Sequence, residues 1–422
     1  MTATTTTKPD SSILSLHFVI GWLVCLLFYY LEYAVRSAPA VMIPELSAFF
    51  GVSTVGLGSI IGSYYYAYAA AGLLAGLSLD KFGAKYVVPA GVIILGIGCL
   101  LFAVPVPLAG YVGRALQGLG SAFAFTGSVY LAVRGLKASR LATAIGITQC
   151  LGMLGAYSGQ AAVAPLIHGT LSVESFWFWM GIVIFINGVV LCIVTPRENL
   201  KKTGANLLAV LEPFKVVFTN PQSYLCGLTA GLLFTPTTIF DMIWCVRFLQ
   251  QDRGLSYEAA VHAASMVPLG WVLGCPLFGW IADSMQRRKP ALMLGIGMIL
   301  LCFAQLNFAT DLLPTWLTLF LLGIASGSAM IPYTVMKETN PDRVKGSATG
   351  AMNFLTFSIS AIIGPIFASH FGTPVEGAAD RLLHFTQVNE FWLAALFVAL
   401  LVATLLKETG AAAKKVDILA VA

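Results

Sequence analysis

The sequence predicts an all-α membrane protein of twelve transmembrane helices, arranged as two six-helix bundles of like build. Three observations carry this expectation. Hydrophobic residues make up 58% of the 422-residue chain and charged residues only 10%, too little polar surface to keep a core of this size dissolved. Twelve apolar runs approach the roughly 20 residues a helix needs to cross hydrocarbon, and none has the two-residue alternation of an outer-membrane strand. A short turn also occurs twice, roughly 200 residues apart, as when two bundles are joined head to tail.

The runs fall at 17–42, 53–78, 86–104, 107–131, 142–168 and 175–195, then at 223–249, 258–281, 290–308, 314–336, 346–371 and 388–407. The expected organisation is a tail over 1–16, a bundle over 17–195, a linker over 196–222, a bundle over 223–407 and a tail over 408–422. The linker is marked by Arg197, Lys201, Lys202 and Lys215 and by three prolines. With the N-terminus inside, nineteen of the 24 lysines and arginines fall in cytoplasmic segments; only Arg253 and Arg381 fall in outer loops. That bias places both termini in the cytoplasm of a bacterial-type inner membrane. The net charge of +5 then reflects topology, and nucleic acid is not an expected partner. Membrane lipids are.

The repeated turn reads Gly76-Leu77-Ser78-Leu79-Asp80-Lys81-Phe82-Gly83-Ala84-Lys85, and again Gly279-Trp280-Ile281-Ala282-Asp283-Ser284-Met285-Gln286-Arg287-Arg288. Gly76, four residues after Gly72, and Gly279 would let neighbouring helices pack closely. Asp80 and Asp283 would face the N-terminus of a neighbouring helix, where a carboxylate is favoured. The basic residues would pair with them or with lipid headgroups. Such a latch must break when the two bundles rock.

Inside the fourth run lies Gly113-Arg114-Ala115-Leu116-Gln117-Gly118-Leu119-Gly120. An arginine within a membrane faces water or a partner unless it snorkels to the interface. Gln117 and Gly118 share its side of the helix, which favours a functional role for Arg114.

These patterns resemble the major facilitator superfamily of transporters over essentially the whole chain. Gly76, Asp80, Lys81, Gly83 and Lys85 match its loop signature, with Ala84 in place of the usual arginine. The second copy keeps Gly279, Asp283, Arg287 and Arg288, but Gln286 replaces the second glycine. Arg114, Gln117, Gly118 and Gly120 match the fourth-span signature. The resemblance implies an alternating-access carrier whose central cavity is lined mainly by spans 1, 4, 7 and 10. The fifth span, Gly152 to Gln160, lacks the glycine–proline motif of many drug/proton antiporters.

Glu32 and Arg36, four apart, share a helix face and can pair with each other. Asp241 and Arg247 occupy the corresponding seventh span. Charges on two helices related by the repeat, both expected to face the cavity, point to a substrate or proton site. Glu32 and Asp241 are the proton-coupling candidates; Arg36, Arg114 and Arg247 are the candidates for holding an anion. Tyr33 and its tyrosine neighbours, with Gln117, Gln149, Gln160 and Asn353, supply further polar groups.

The expected function is secondary transport of a small polar organic solute, coupled to protons and directed inward, by a protein acting as a monomer. Segment 32–42 is similar to bacterial carriers related to phagosomal nutrient transporters, which are associated with amino acid or nucleoside uptake. An amino acid is therefore the first expectation. The alternatives are a proton-driven exporter of drugs, metabolites or siderophores, and a non-transporting sensor on a carrier fold. No phosphate loop, catalytic cluster or metal-ligand spacing is present, so neither an enzyme nor a cofactor or metal site is expected.

Overall fold

The computed structural model describes residues 11–198, 207–308, 312–341 and 344–411, with side chains for all of these except 11–15, 80, 138, 139, 142 and 207–211. Among them are twelve helices long and apolar enough to cross a membrane. Spans 1–6 are Leu16–Val41, Thr54–Leu79, Ala84–Phe102, Pro107–Gly135, Thr143–Gly169 and Val173–Val194. Spans 7–12 are Pro221–Gln251, Tyr257–Ser284, Lys289–Phe308, Thr315–Thr339, Lys345–Phe371 and Ala378–Leu405. An even number of crossings puts both ends of the described chain on one face, called here the terminal face.

Local chemistry sets where the spans begin. Ser53, Ser172 and Ser256 each accept a hydrogen bond from a backbone N–H one turn into spans 2, 6 and 8, satisfying a donor that the first turn leaves open. Spans 4 and 7 start with a proline, whose missing N–H costs nothing there. The segment between the halves is not wholly extended: Leu207–Phe218 is a helix.

Spans 2 and 11 pack together across the two halves, as do spans 5 and 8. Span 7 is buried throughout its apolar core, whereas spans 6 and 12 are mostly turned outward. Large apolar side chains such as Leu23, Leu74, Leu108, Ile193, Leu301 and Leu405 are exposed on the outside, as a hydrocarbon solvent requires. Trp177 and Trp271 are buried, while Trp179 and Trp280 stand on the surface.

Span 7 is not a uniform helix. Pro236–Trp244 is a π-helix between two α-helical stretches. Proline breaks the i→i−4 ladder, and the wider turn frees carbonyls for other partners. Within the π-helix, Thr238 O accepts a hydrogen bond from the Tyr65 hydroxyl of span 2 at 2.8 Å.

Candidate functional site

The centre of the first half is a buried charge cluster. Glu32 and Arg36 form an ion pair within span 1, and both are essentially inaccessible. The Tyr64 hydroxyl accepts from Arg36 Nε at 3.1 Å and donates to Glu32 Oε1 at 2.5 Å. Rings surround the Arg36 guanidinium: Tyr33 at 4.3 Å, Tyr68 at 4.8 Å and Phe357 of the other half at 5.4 Å. Among the described residues its Nη1 has no hydrogen-bond partner, and neither has Glu32 Oε2.

Arg114 lies on the other side of the same tyrosine, 4.8 Å from the Tyr64 ring. It is wholly buried, so it does not snorkel. Its Nη1 donates to Gln117 Oε1 at 2.7 Å and to the Val35 carbonyl at 3.3 Å, while Nε and Nη2 are unpartnered. Two guanidiniums therefore flank Tyr64, and one carboxylate, Glu32, bonds to the group. Gly118 makes the approach possible, since a Cβ there would stand 2.1 Å from the Tyr64 carbonyl oxygen.

A small central cavity of about 20 Å³ lies between the halves, lined by Tyr29, Tyr33, Tyr68, Tyr333, Asn353 and Phe357 among others. It has room for about one water. Asn353 is in place here, accepting from the Tyr333 hydroxyl at 3.0 Å. Tyr333 and Phe357 escaped the sequence reading. Phe357 had a signal, standing one turn beyond Asn353 on the same helix face.

Asp241 does not share that cavity. It is buried in the π-helix, where Gln160 Nε2 of span 5 approaches Oδ2 at 3.4 Å and the Asp241 carbonyl at 3.4 Å. Oδ1 is unpartnered, and no cation lies within ion-pair distance among the described residues. Arg247, expected at matching depth and facing the centre, is elsewhere. It lines a cavity of about 110 Å³ at the opposite face with Glu45, His168 and Tyr257, and its Nε donates to Gln251 at 2.9 Å. Six residues apart, Asp241 and Arg247 stand about 9 Å apart along the axis and about 120° apart around it even on a regular helix, so one face could not carry both.

The halves meet at that opposite face. The Tyr257 hydroxyl donates to the Val41 carbonyl at 2.8 Å, and the His168 and Tyr257 rings are 3.9 Å apart. Toward the terminal face a cavity of about 350 Å³ lies between the halves, lined by Gly76, Tyr130 and Arg134 on one side and Lys337, Gly346 and Gly350 on the other. Phe125 borders both this cavity and the central one.

Gly76 and Gly279 do not seat a neighbouring helix; a Cβ on either would meet open space. Gly76 borders the 350 Å³ cavity, and Gly279 a second of about 270 Å³ beside span 10. Gly72, by contrast, is packed, with a Cβ there 3.6 Å from that of Asn353. The Asp80 carboxyl lies outside the described residues. Lys81 sits over the Phe82 ring, and Lys85 Nζ donates to the Cys192 carbonyl at the end of span 6.

Asp283 does not cap a neighbouring helix either. It pairs with Arg288 at 2.7 Å, and Arg288 also pairs with Glu338 of span 10 at 3.0 Å. The carboxylate at the start of span 9 is instead Glu408, which accepts from the N–H groups of Arg288 and Lys289 at 2.7 and 3.1 Å. Partial burial alone would raise its pKa, but these and two further backbone donors hold it below the ordinary value. Gly83 and Gln286 both take positive φ, 74° and 51°, so the second turn keeps its shape without its glycine. Arg287 makes no ion pair or hydrogen bond among the described residues.

Two lobes of six helices, charged groups buried between them and a cavity open at one face define a membrane carrier. The family model of the Major Facilitator Superfamily matches residues 24–365, and the chain belongs to that family. It is similar to the probable galactarate/D-glucarate transporter GudP of Escherichia coli (strain K12), 25% identical over 82% of this chain and 85% of that one. It is also similar to the hexuronate transporter of Bacillus subtilis (strain 168), 24% identical over 79% and 83%. Among solved structures, the nucleoside transporter NupG superposes with a TM-score of 0.71 at 16% identity, covering 93% of this chain and 99% of that one. These relatives are transporters, not enzymes.

Proposed function

We propose that this protein carries a small sugar acid inward across a bacterial inner membrane by alternating access, as a monomer coupled to protons. Arg36 carries the proposal: a buried guanidinium with a free Nη1, ringed by aromatic side chains that line the cavity between the lobes. A carboxylate is the ligand that completes such a group. The solute's hydroxyls would meet Tyr29, Tyr333, Gln149 and Asn353. The names of the relatives support this class over the amino acid expected from the sequence, since galactarate, glucarate, galactonate and hexuronate are all sugar carboxylates.

The distribution of lysine and arginine supports a cytoplasmic terminal face, with the 350 Å³ cavity opening inward. Asp241 suits the coupling role because it sits between the lobes, bonded only to Gln160. A charged Asp241 needs water, and water reaches it only when the opposite face opens. Glu32 is the second proton candidate, freed from Arg36 when the solute's carboxylate takes its place.

The test is uptake of D-glucarate, D-galactonate, D-glucuronate and a panel of amino acids into proteoliposomes under a proton gradient. Saturable uptake of one or more of the acids supports the proposal. Uptake confined to amino acids, or efflux of unrelated drugs alone, refutes it.

A further inference from the structure

Lys337 belongs neither to the charge cluster around Tyr64 nor to the turn held by Arg288. It lies in the last turn of span 10, at the terminal end of that helix, and lines the 350 Å³ cavity. It makes no hydrogen bond or ion pair among the described residues. Charged side chains in membrane helices are ordinarily paired or face a water-filled passage. Across the same cavity is Arg134 of the other lobe, whose charge is already engaged by Glu198 and Tyr130. Among the described residues, Lys337 is thus a cation of this cavity with no anion of its own.

The volumes give that cation a role. In the conformation described, with the opposite face closed, the central cavity has contracted to about 20 Å³ and holds no six-carbon acid, whereas about 350 Å³ lies in the range of small-molecule sites. Phe125 forms a wall shared by the two. We infer that the terminal-face cavity is a second station for the transported carboxylate, in which Lys337 binds the acid after it leaves Arg36 and before it is released. This inference rests on the sugar-acid reading of the central site. The point charge of lysine on a flexible stem suits a transient hold. The mainly apolar wall around it strengthens attraction to an anion without fixing its orientation.

The experiment measures KM for D-glucarate separately from each face, in proteoliposomes of known orientation, for the wild type, K337Q, K337R and G346D. Gly346 lines the same cavity and has open space around it, so an aspartate there fits and offers Lys337 an internal anion. K337Q and G346D are each expected to raise KM at the terminal face about five- to tenfold, the scale of one charge-assisted contact. KM at the opposite face should stay within about twofold, and K337R should behave as wild type. Unchanged terminal-face KM in K337Q and G346D, or equal change at both faces, overturns the station. Wild-type protein that carries no D-glucarate or other sugar acid overturns the sugar-acid reading itself. That result is distinct, because it appears before any substitution is compared.

Discussion

The hydroxyl of Tyr65 in the first half donates to the carbonyl of Thr238 in the second, at 2.8 Å. The acceptor lies within the π-helix over Pro236–Trp244. The bond ties span 2 to span 7 across the two lobes while the opposite face is closed, as it is in this structure.

Tyr65→Phe removes that bond and little else. The expected loss is about 0.5–1.5 kcal/mol from the closed state, a shift of roughly two- to twelvefold toward opening. Distances between spin labels placed on the two lobes at the opposite face report the populations. An unchanged distribution would remove the bond from any part in closure.

Glu32→Gln leaves Arg36 as a buried charge without a carboxylate. Removing one partner of such a pair costs about 3–5 kcal/mol, so the melting temperature should fall steeply. Because the solute's carboxylate can replace Glu32, D-glucarate should restore more stability to the variant than it adds to the wild type. Equal stabilisation of both proteins by D-glucarate would place the acid away from Arg36.

Asp241→Asn keeps the hydrogen-bond geometry toward Gln160 and removes the titrating group. Uptake driven by a proton gradient should drop to the rate seen without one, while exchange of labelled for unlabelled solute continues. Retained gradient-driven uptake would exclude Asp241 from coupling.

Glu408 makes the turn between spans 8 and 9 sensitive to acid. Its pKa in the folded protein is depressed, so its contribution is complete above the ordinary carboxylate value and is lost as pH falls through the lower, folded one. Amide exchange over 286–290 should therefore rise when pH is lowered from neutral to about 3. E408Q should show the faster exchange already at neutral pH, after correction for the intrinsic pH dependence.

The twelve spans were legible in the sequence because hydrocarbon tolerates few polar side chains, and apolar length alone reports them. The Glu32–Arg36 pair was legible from four-residue spacing on a regular helix, and Arg114 from the cost of an arginine in lipid. The place of Arg247 was not, because six residues from Asp241 is neither one helical turn nor two, and the two side chains fall on different faces at different depths. The space beside Gly76 and Gly279 was not legible either, since it depends on which face of the carrier is closed. Glu408 was hidden for another reason. Its partners, Arg288 and Lys289, lie roughly 120 residues away, and no local pattern joins a chain end to a distant helix start.

The central claim is that Arg36 binds the carboxylate of a sugar acid. Calorimetric titration of D-glucarate, D-galactonate and D-glucuronate into the purified wild type and R36Q tests it most directly. The account predicts saturable binding of at least one acid by the wild type, weakened at least about tenfold in R36Q, the scale of one strong charge-assisted contact. Equal affinity in the two proteins, or a wild type that binds amino acids and none of the acids, would contradict it.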